Sequence, residues 1–153
     1  MNTLFKSISR VATIMVATAS LGLASDWGTD WEAAKAESKK TGKPILINLT
    51  GSDWCGWCIK IEKNVFSKDV FKDFAKKNLV LMEADFPRKK ELSKDLAKQN
   101  DKLRVKYLNE GYPTVWLLDA EGNKLSEDLG TFGQDPEKWV KMLEKKLSKI
   151  NKG

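Results

Sequence analysis

A run rich in apolar and β-branched residues, Pro44-Ile45-Leu46-Ile47-Asn48-Leu49-Thr50, breaks at Gly51-Ser52-Asp53 and passes at once into Trp54-Cys55-Gly56-Trp57-Cys58. A buried strand therefore delivers two cysteines to the start of a helix, and the rest of the chain must be arranged around that junction. These are the only two cysteines in 153 residues, and there is no histidine. Ser-His-Asp and Cys-His catalysis, haem attachment through Cys-x-x-Cys-His and a Cys/His zinc finger are all excluded. So is a disulfide-stapled scaffold. A chain of this length can bury a core without one.

Spacing and capping signals supply the other elements. A first helix is predicted over 30–41, with Asp30 as N-cap and Gly42 and Pro44 as its stop. The helix opening at Trp54-Cys55 keeps Ile59, Ile61, Val65 and Phe66 on one side, and Ser67 caps a further helix over 68–77 whose Val70, Phe71 and Phe74 share a face. A second buried strand is predicted over 79–85. Residues 88–108 have helical spacing, with Asn100-Asp101 as a break. A third strand over 114–118 turns at Asp119–Asn123 into a fourth over 124–129. Asp135-Pro136 opens a last helix carrying Trp139, Val140, Leu143, Leu147 and Ile150. Strands alternating with helices, without repeats or linkers in 26–153, indicate one α/β layered domain.

The position of the cysteines supplies their chemistry. A helix N-terminus presents unpaired N–H groups and the positive end of the backbone dipole, so a thiolate there is stabilised and its pKa falls. Two intervening residues place both sulfurs on one turn, so that Cys55 attacks a substrate disulfide and Cys58 resolves the mixed disulfide. Zinc would need four ligands, and only carboxylates remain to complete the set. A structural disulfide would close too short a loop to stabilise much. Inert buried thiols fit poorly between tryptophans after Gly-Ser-Asp. Redox exchange is the favoured reading, with no metal and no cofactor beyond the Cys55–Cys58 disulfide.

With Gly111-Tyr112-Pro113-Thr114 downstream, the sequence resembles the thioredoxins over nearly all of residues 30–150. The resemblance implies a central mixed β-sheet flanked by helices, with an N-terminal helical extension. Within that superfamily the chain is similar to small exported thioredoxin-like proteins and to the C-terminal domain of the periplasmic transmembrane thiol reductase. The shared stretches are Ile47-Asn48-Leu49 before the motif and Cys58-Ile59-Lys60-Ile61-Glu62-Lys63-Asn64-Val65-Phe66 after it. It implies that Cys55 is the attacking thiol, Cys58 the resolving thiol, and Pro113 a cis-proline that faces them, keeps metals off and aligns the substrate. Tyr112 would offer its main chain to an extended substrate. Trp54 would shape the substrate groove, although a core tryptophan suits that position equally well. Many thioredoxins bury an aspartate where this chain has Asn48, which cannot take a proton. Glu62 matches a carboxylate near the thiols of the reductase domain, and an ordinary exposed helix glutamate is the rival reading.

Gly56 and Trp57, between the cysteines, tune the thiols without a charge or a histidine, which favours reduction over disulfide oxidation or isomerisation. A redox-silent peptide-binding module is the alternative of a different class. Residues 1–24 read as a signal peptide and 25–153 as the domain. Lys6 and Arg10 precede the uncharged stretch Val11 to Leu23, and Gly22-Leu23-Ala24 places small residues at the cleavage positions. That stretch spans only about 20 Å as a helix, against a hydrocarbon core of roughly 30 Å. A soluble periplasmic or secreted monomer is expected, with exported cysteine-containing proteins as substrates. An oxidising compartment would leave the pair as a disulfide, so a membrane thiol reductase is the expected electron donor. The formal charge is +6, but both signs alternate along the helices. No nucleic-acid footprint results.

Overall fold

The computed structural model describes residues 27–150. The expected signal peptide lies outside the described residues. Helix α1 (Trp31–Thr41) starts where Asp30 Oδ1 accepts the Ala33 N–H at 2.9 Å and ends at Gly42, whose φ of 72° only glycine adopts cheaply. Strand β1 (Ile45–Thr50) follows and is buried at every residue. Helix α2 (Gly56–Ile61) runs into a π-helical turn, Glu62–Phe66, and then come α3 (Asp69–Asn78), β2 (Val80–Asp85), α4 (Lys94–Tyr107), β3 (Thr114–Leu118) and α5 (Pro136–Ile150).

The sheet has the order β2-β1-β3, with β2 parallel and β3 antiparallel to β1. Because side chains alternate across a strand, each face collects its own core. Leu46, Leu81, Val115 and Leu117 meet Phe66, Phe71, Trp139 and Leu143 on one face. Ile45, Ile47, Leu49, Met82, Ala84 and Leu118 meet Ala34, Leu103 and Tyr107 on the other. Each fully buried large aliphatic or aromatic side chain contributes about 1.5–3 kcal/mol. The first face changes character along its length. Towards the carboxyl ends of β1 and β2 its alternate positions are Asn48 and Thr50, paired in register with Glu83 and Asp85. This polar end lies beneath the start of α2.

Several sequence expectations need correction. Residues 124–129 do not form a fourth strand. Leu125 and Leu129 donate to the carbonyls of Leu117 and Val115, but the return bonds from Leu117 N and Val115 N go to Ser126 Oγ and Asp128 Oδ1, at 3.0 and 2.9 Å. Side chains replace carbonyls, and only one bridge, Leu118 to Lys124, survives as ladder. The expected helix over 88–108 begins at Lys94, with Ser93 Oγ as its cap, and runs unbroken through Asn100-Asp101. Asn100 is buried and donates to the Asp85 carbonyl at 3.0 Å. Ser67 does not cap α3. Lys68 occupies the cap position without a side-chain bond, and the Ser67 hydroxyl donates to Glu62 Oε1. Val70 faces solvent, away from the buried Phe71.

Candidate active site

The turn between β1 and α2 is fastened from outside. Ser52 donates to Asp85 through its N–H (2.9 Å) and its hydroxyl (2.7 Å), and Lys90 Nζ reaches the same carboxylate at 2.9 Å. Asp53 Oδ2 accepts the Lys89 N–H at 2.7 Å and its Oδ1 the Arg88 N–H at 2.9 Å. Those backbone donors, Arg88 foremost, hold the Asp53 carboxyl below its ordinary range. Trp54 donates its indole N–H to the Phe86 carbonyl at 2.8 Å and lies between the Arg88 guanidinium, 3.8 Å from its ring, and Tyr112. The indole covers Gly51 so closely that a Cβ there would meet the ring at 2.5–2.7 Å.

Cys55 is the N-cap of α2, and its sulfur accepts the N–H of Cys58 at 3.2 Å. This is the donor a thiolate at this position would use. The two cysteines are disulfide-bonded, with Cα atoms 5.2 Å apart. Cys58 is 2% exposed, but Cys55 is also largely covered at 7%, less open than the sequence suggests. Part of the cover is the Tyr112 carbonyl, 3.5 Å from Cys55 Sγ. The Tyr112–Pro113 peptide is cis. Beside it a groove of about 490 Å³ runs between Trp57, Ile61, Gly111–Pro113, Asp128, Gly130, Thr131, Gly133 and Gln134. Trp57 stands at its mouth, 65% exposed, with Lys60 Nζ 4.8 Å above the ring.

A second cavity, about 340 Å³, opens on the other side of Cys58 and is lined by Asn48, Thr50, Ser52, Glu62, Lys63 and Glu83. Glu62 reaches this cavity, so it lines the same space as Cys58. Asn48 is buried, and its Oδ1 has no hydrogen-bond partner among the described residues. Glu83 is the residue that sequence reasoning missed. Burial first, and then the carboxylates of Asp85 and Glu62, push its carboxyl up to about 7, while Lys90 opposes them weakly. The available signal was an acid at an inward position of an apolar strand, but only the register places it beside Asn48.

The arrangement is built for thiol–disulfide exchange. It offers a sulfur at a helix N-terminus, a second sulfur beneath it, a groove beside the pair and an ionisable cavity behind it. Comparison with known proteins agrees. Residues 26–120 match the family described as thioredoxin-like. Disulfide bond reductase DsbH of Chlamydia pneumoniae is 38% identical over 99 residues, which is 63% of this chain and 60% of that protein. Thiol:disulfide interchange protein DsbD of Yersinia pestis (strain Pestoides F) is 30% identical over 104 residues, 67% of this chain but 16% of that protein. The match thus spans 60% of the first of these relatives and 16% of the second, less than two thirds of either. A solved structure of a DsbH oxidoreductase superposes with a TM-score of 0.74 at 30% identity, over 95% of both chains.

Proposed function

This chain belongs to the thioredoxin-like family, and from that premise we propose that it is an exported thiol–disulfide oxidoreductase working as a reductase. The observation that carries the direction is the environment of Cys55 Sγ. It receives the Cys58 N–H at 3.2 Å, and only uncharged Gly56 and Trp57 stand between the cysteines. The nearby cation on α2, Lys60, is occupied over the Trp57 ring. Such a thiolate draws on a backbone donor and the helix N-terminus but on no histidine or free cation, so it is only moderately stabilised. A less stabilised thiolate makes the dithiol the better electron donor. The relative named as a disulfide bond reductase supports the same direction.

In the reaction, reduced Cys55 attacks one sulfur of a substrate disulfide and expels the other as a thiolate. Cys58 then attacks Cys55, releasing the second substrate thiol and leaving the Cys55–Cys58 disulfide. The groove beside Pro113 receives the substrate chain, with Trp57 and Tyr112 as its aromatic walls; Trp54, expected to shape it, lies outside its lining and packs against Gly51 and Arg88. The signal-like residues 1–24 support export, and in an oxidising compartment a membrane thiol reductase would return the disulfide to the dithiol. Among the described residues no helix is long and apolar enough to cross a membrane.

Titration against glutathione tests the direction. The potential should lie nearer ~−270 mV than ~−120 mV, a span of about 7 kcal/mol. A value above about −150 mV would replace the reductase by an oxidase or isomerase. Absence of insulin reduction by the dithiol form would leave only a peptide-binding role.

A further inference from the structure

The cavity behind Cys58 has a feature that the exchange reaction alone does not use. Resolution of the mixed disulfide requires the shielded Cys58 thiol to lose a proton, and Cys58 is 2% exposed. Asn48, on the central strand, cannot accept that proton. Directly across the parallel register stands Glu83, lining the same cavity as Cys58. Its main chain is fixed by the sheet, and its N–H also donates to the Gly28 carbonyl at 2.8 Å. Resting on the oxidoreductase reading above, we propose that Glu83 is the proton acceptor for the Cys58 thiol, supplying from the outer strand the carboxylate that the central strand lacks.

The step balances as follows. In the mixed disulfide between Cys55 and substrate, the Cys58 S–H proton passes to the Glu83 carboxylate. The Cys58 thiolate attacks Cys55 Sγ. The Cys55–Cys58 bond forms, the bond to the substrate sulfur breaks, and the departing thiolate carries the electron pair away. Glu83 then returns its proton to solvent. In the opposite half-reaction, when an incoming dithiol opens the disulfide, protonated Glu83 supplies the proton to Cys58 as it leaves.

The charged groups around Glu83 fit this cycle. Asp85 stands two residues along β2, Glu62 approaches from the π-helical turn, Lys63 lines the cavity and Lys90 sits beyond Asp85. Asn48 and Thr50 of β1 add polarity without charge. Burial and the two acidic neighbours hold Glu83 near 7 in the disulfide form, so it exchanges its proton close to neutral pH. A general acid–base group is most effective when its pKa lies near the working pH.

The test uses the full reduced protein and a symmetrical aromatic disulfide that releases one coloured thiolate at each step. The first release reports attack by Cys55 and the second reports resolution by Cys58. Glu83→Gln should leave the first release unchanged and slow the second about 10- to 100-fold at neutral pH, at or below the lower end of the ~10²–10⁴ range of positioned acid–base groups. The wild-type second step should accelerate as Glu83 ionises, and in the variant that limb should move to higher pH. Glu83→Asp should retain a titrating limb. Superimposable second phases and pH profiles for wild type and Glu83→Gln would overturn the proposal. Failure of the wild type to give any second release would instead overturn the oxidoreductase reading. Should the glutamine variant not fold, difference infrared spectroscopy of the wild type decides. A carboxyl band titrating near neutrality and changing between disulfide and dithiol forms is expected, and one that titrates like a surface glutamate refutes the assignment.

Discussion

Glu83→Gln should also make the disulfide form more stable, by an amount that grows with pH. The Glu83 carboxyl rises from 4.5 to about 7 on folding, mainly through burial and then through Asp85 and Glu62. A raised carboxyl pKa means that, between those values, the folded protein holds a proton that the unfolded chain has released. Stability therefore falls as pH climbs from about 4.5 to about 7, and above that the full penalty applies. At 1.36 kcal/mol per pH unit the displacement amounts to ~3 kcal/mol. Glu83 is only partly buried, and solvent screening reduces this to about 1–2 kcal/mol. Glutamine keeps the shape of the neutral acid and has nothing to ionise. Urea denaturation of both oxidised proteins at pH 4 and pH 8 gives the answer, because contributions common to the two cancel. The difference in unfolding free energy should increase by about 1–2 kcal/mol in favour of the variant between the two pH values. A difference that stays constant, or a variant less stable than wild type at pH 8, would refute the reasoning.

Cys58→Ser should accumulate mixed disulfides with substrate proteins and Cys55→Ser should be inactive, which non-reducing electrophoresis after insulin turnover will show. Equal alkylation rates of the two thiols in the reduced protein would contradict this division of roles. At Gly130 a Cβ would press against the backbone carbonyl group of Pro113, which cannot swing aside as a side chain would. Gly130→Ala should therefore cost roughly 1–3 kcal/mol, the usual penalty of overpacking, and slow insulin reduction by displacing the Pro113 loop. A variant with wild-type stability and turnover would show that the loop yields freely.

The junction of β1 and α2 was legible because its signals are local. An apolar run, a Gly-Ser-Asp break and two cysteines within one helical turn identify each other at short range. Asp30 and Gly42 were legible for the same reason, each acting within a turn of its own helix. Misreadings arose where partners are distant or chemically equivalent. Residues 124–129 carry Leu125 and Leu129 at strand-like spacing, yet Ser126 and Asp128 accept the β3 N–H groups with side-chain oxygens. An alternation of polar and apolar residues does not distinguish that from a carbonyl ladder. The π-helical turn at Glu62–Phe66 was invisible because Ile61, Val65 and Phe66 are buried and satisfy an ordinary helical stripe. In 88–92 the helical spacing ran on past the real start, while the backbone there is committed to Asp53.

Glu83 was hidden for a further reason, which also explains why it differs from its neighbour Asp85. Both acids lie on one face of β2, two residues apart, at the polar end beneath the cysteines. Asp85 is tied to Lys90 and twice to Ser52, so its carboxylate fastens the turn that carries Trp54 and Cys55. Glu83 faces an asparagine, and Lys90, the cation that lowers its carboxyl, is already bonded to Asp85. Two carboxylates whose surroundings differ in this way divide the work. The paired one holds the active-site turn in place. The unpaired one is left to exchange a proton near neutral pH, and the parallel pairing of β1 with β2 brings it to the cavity that Cys58 shares. Adding an acid to the central strand, as Asn48→Asp, would set a carboxylate directly beside Glu83 in a cavity that Glu62 already lines, where like charge would force one of them to stay protonated. An uncharged residue at that register position of the central strand avoids adding to the conflict, and Asn48 meets the condition.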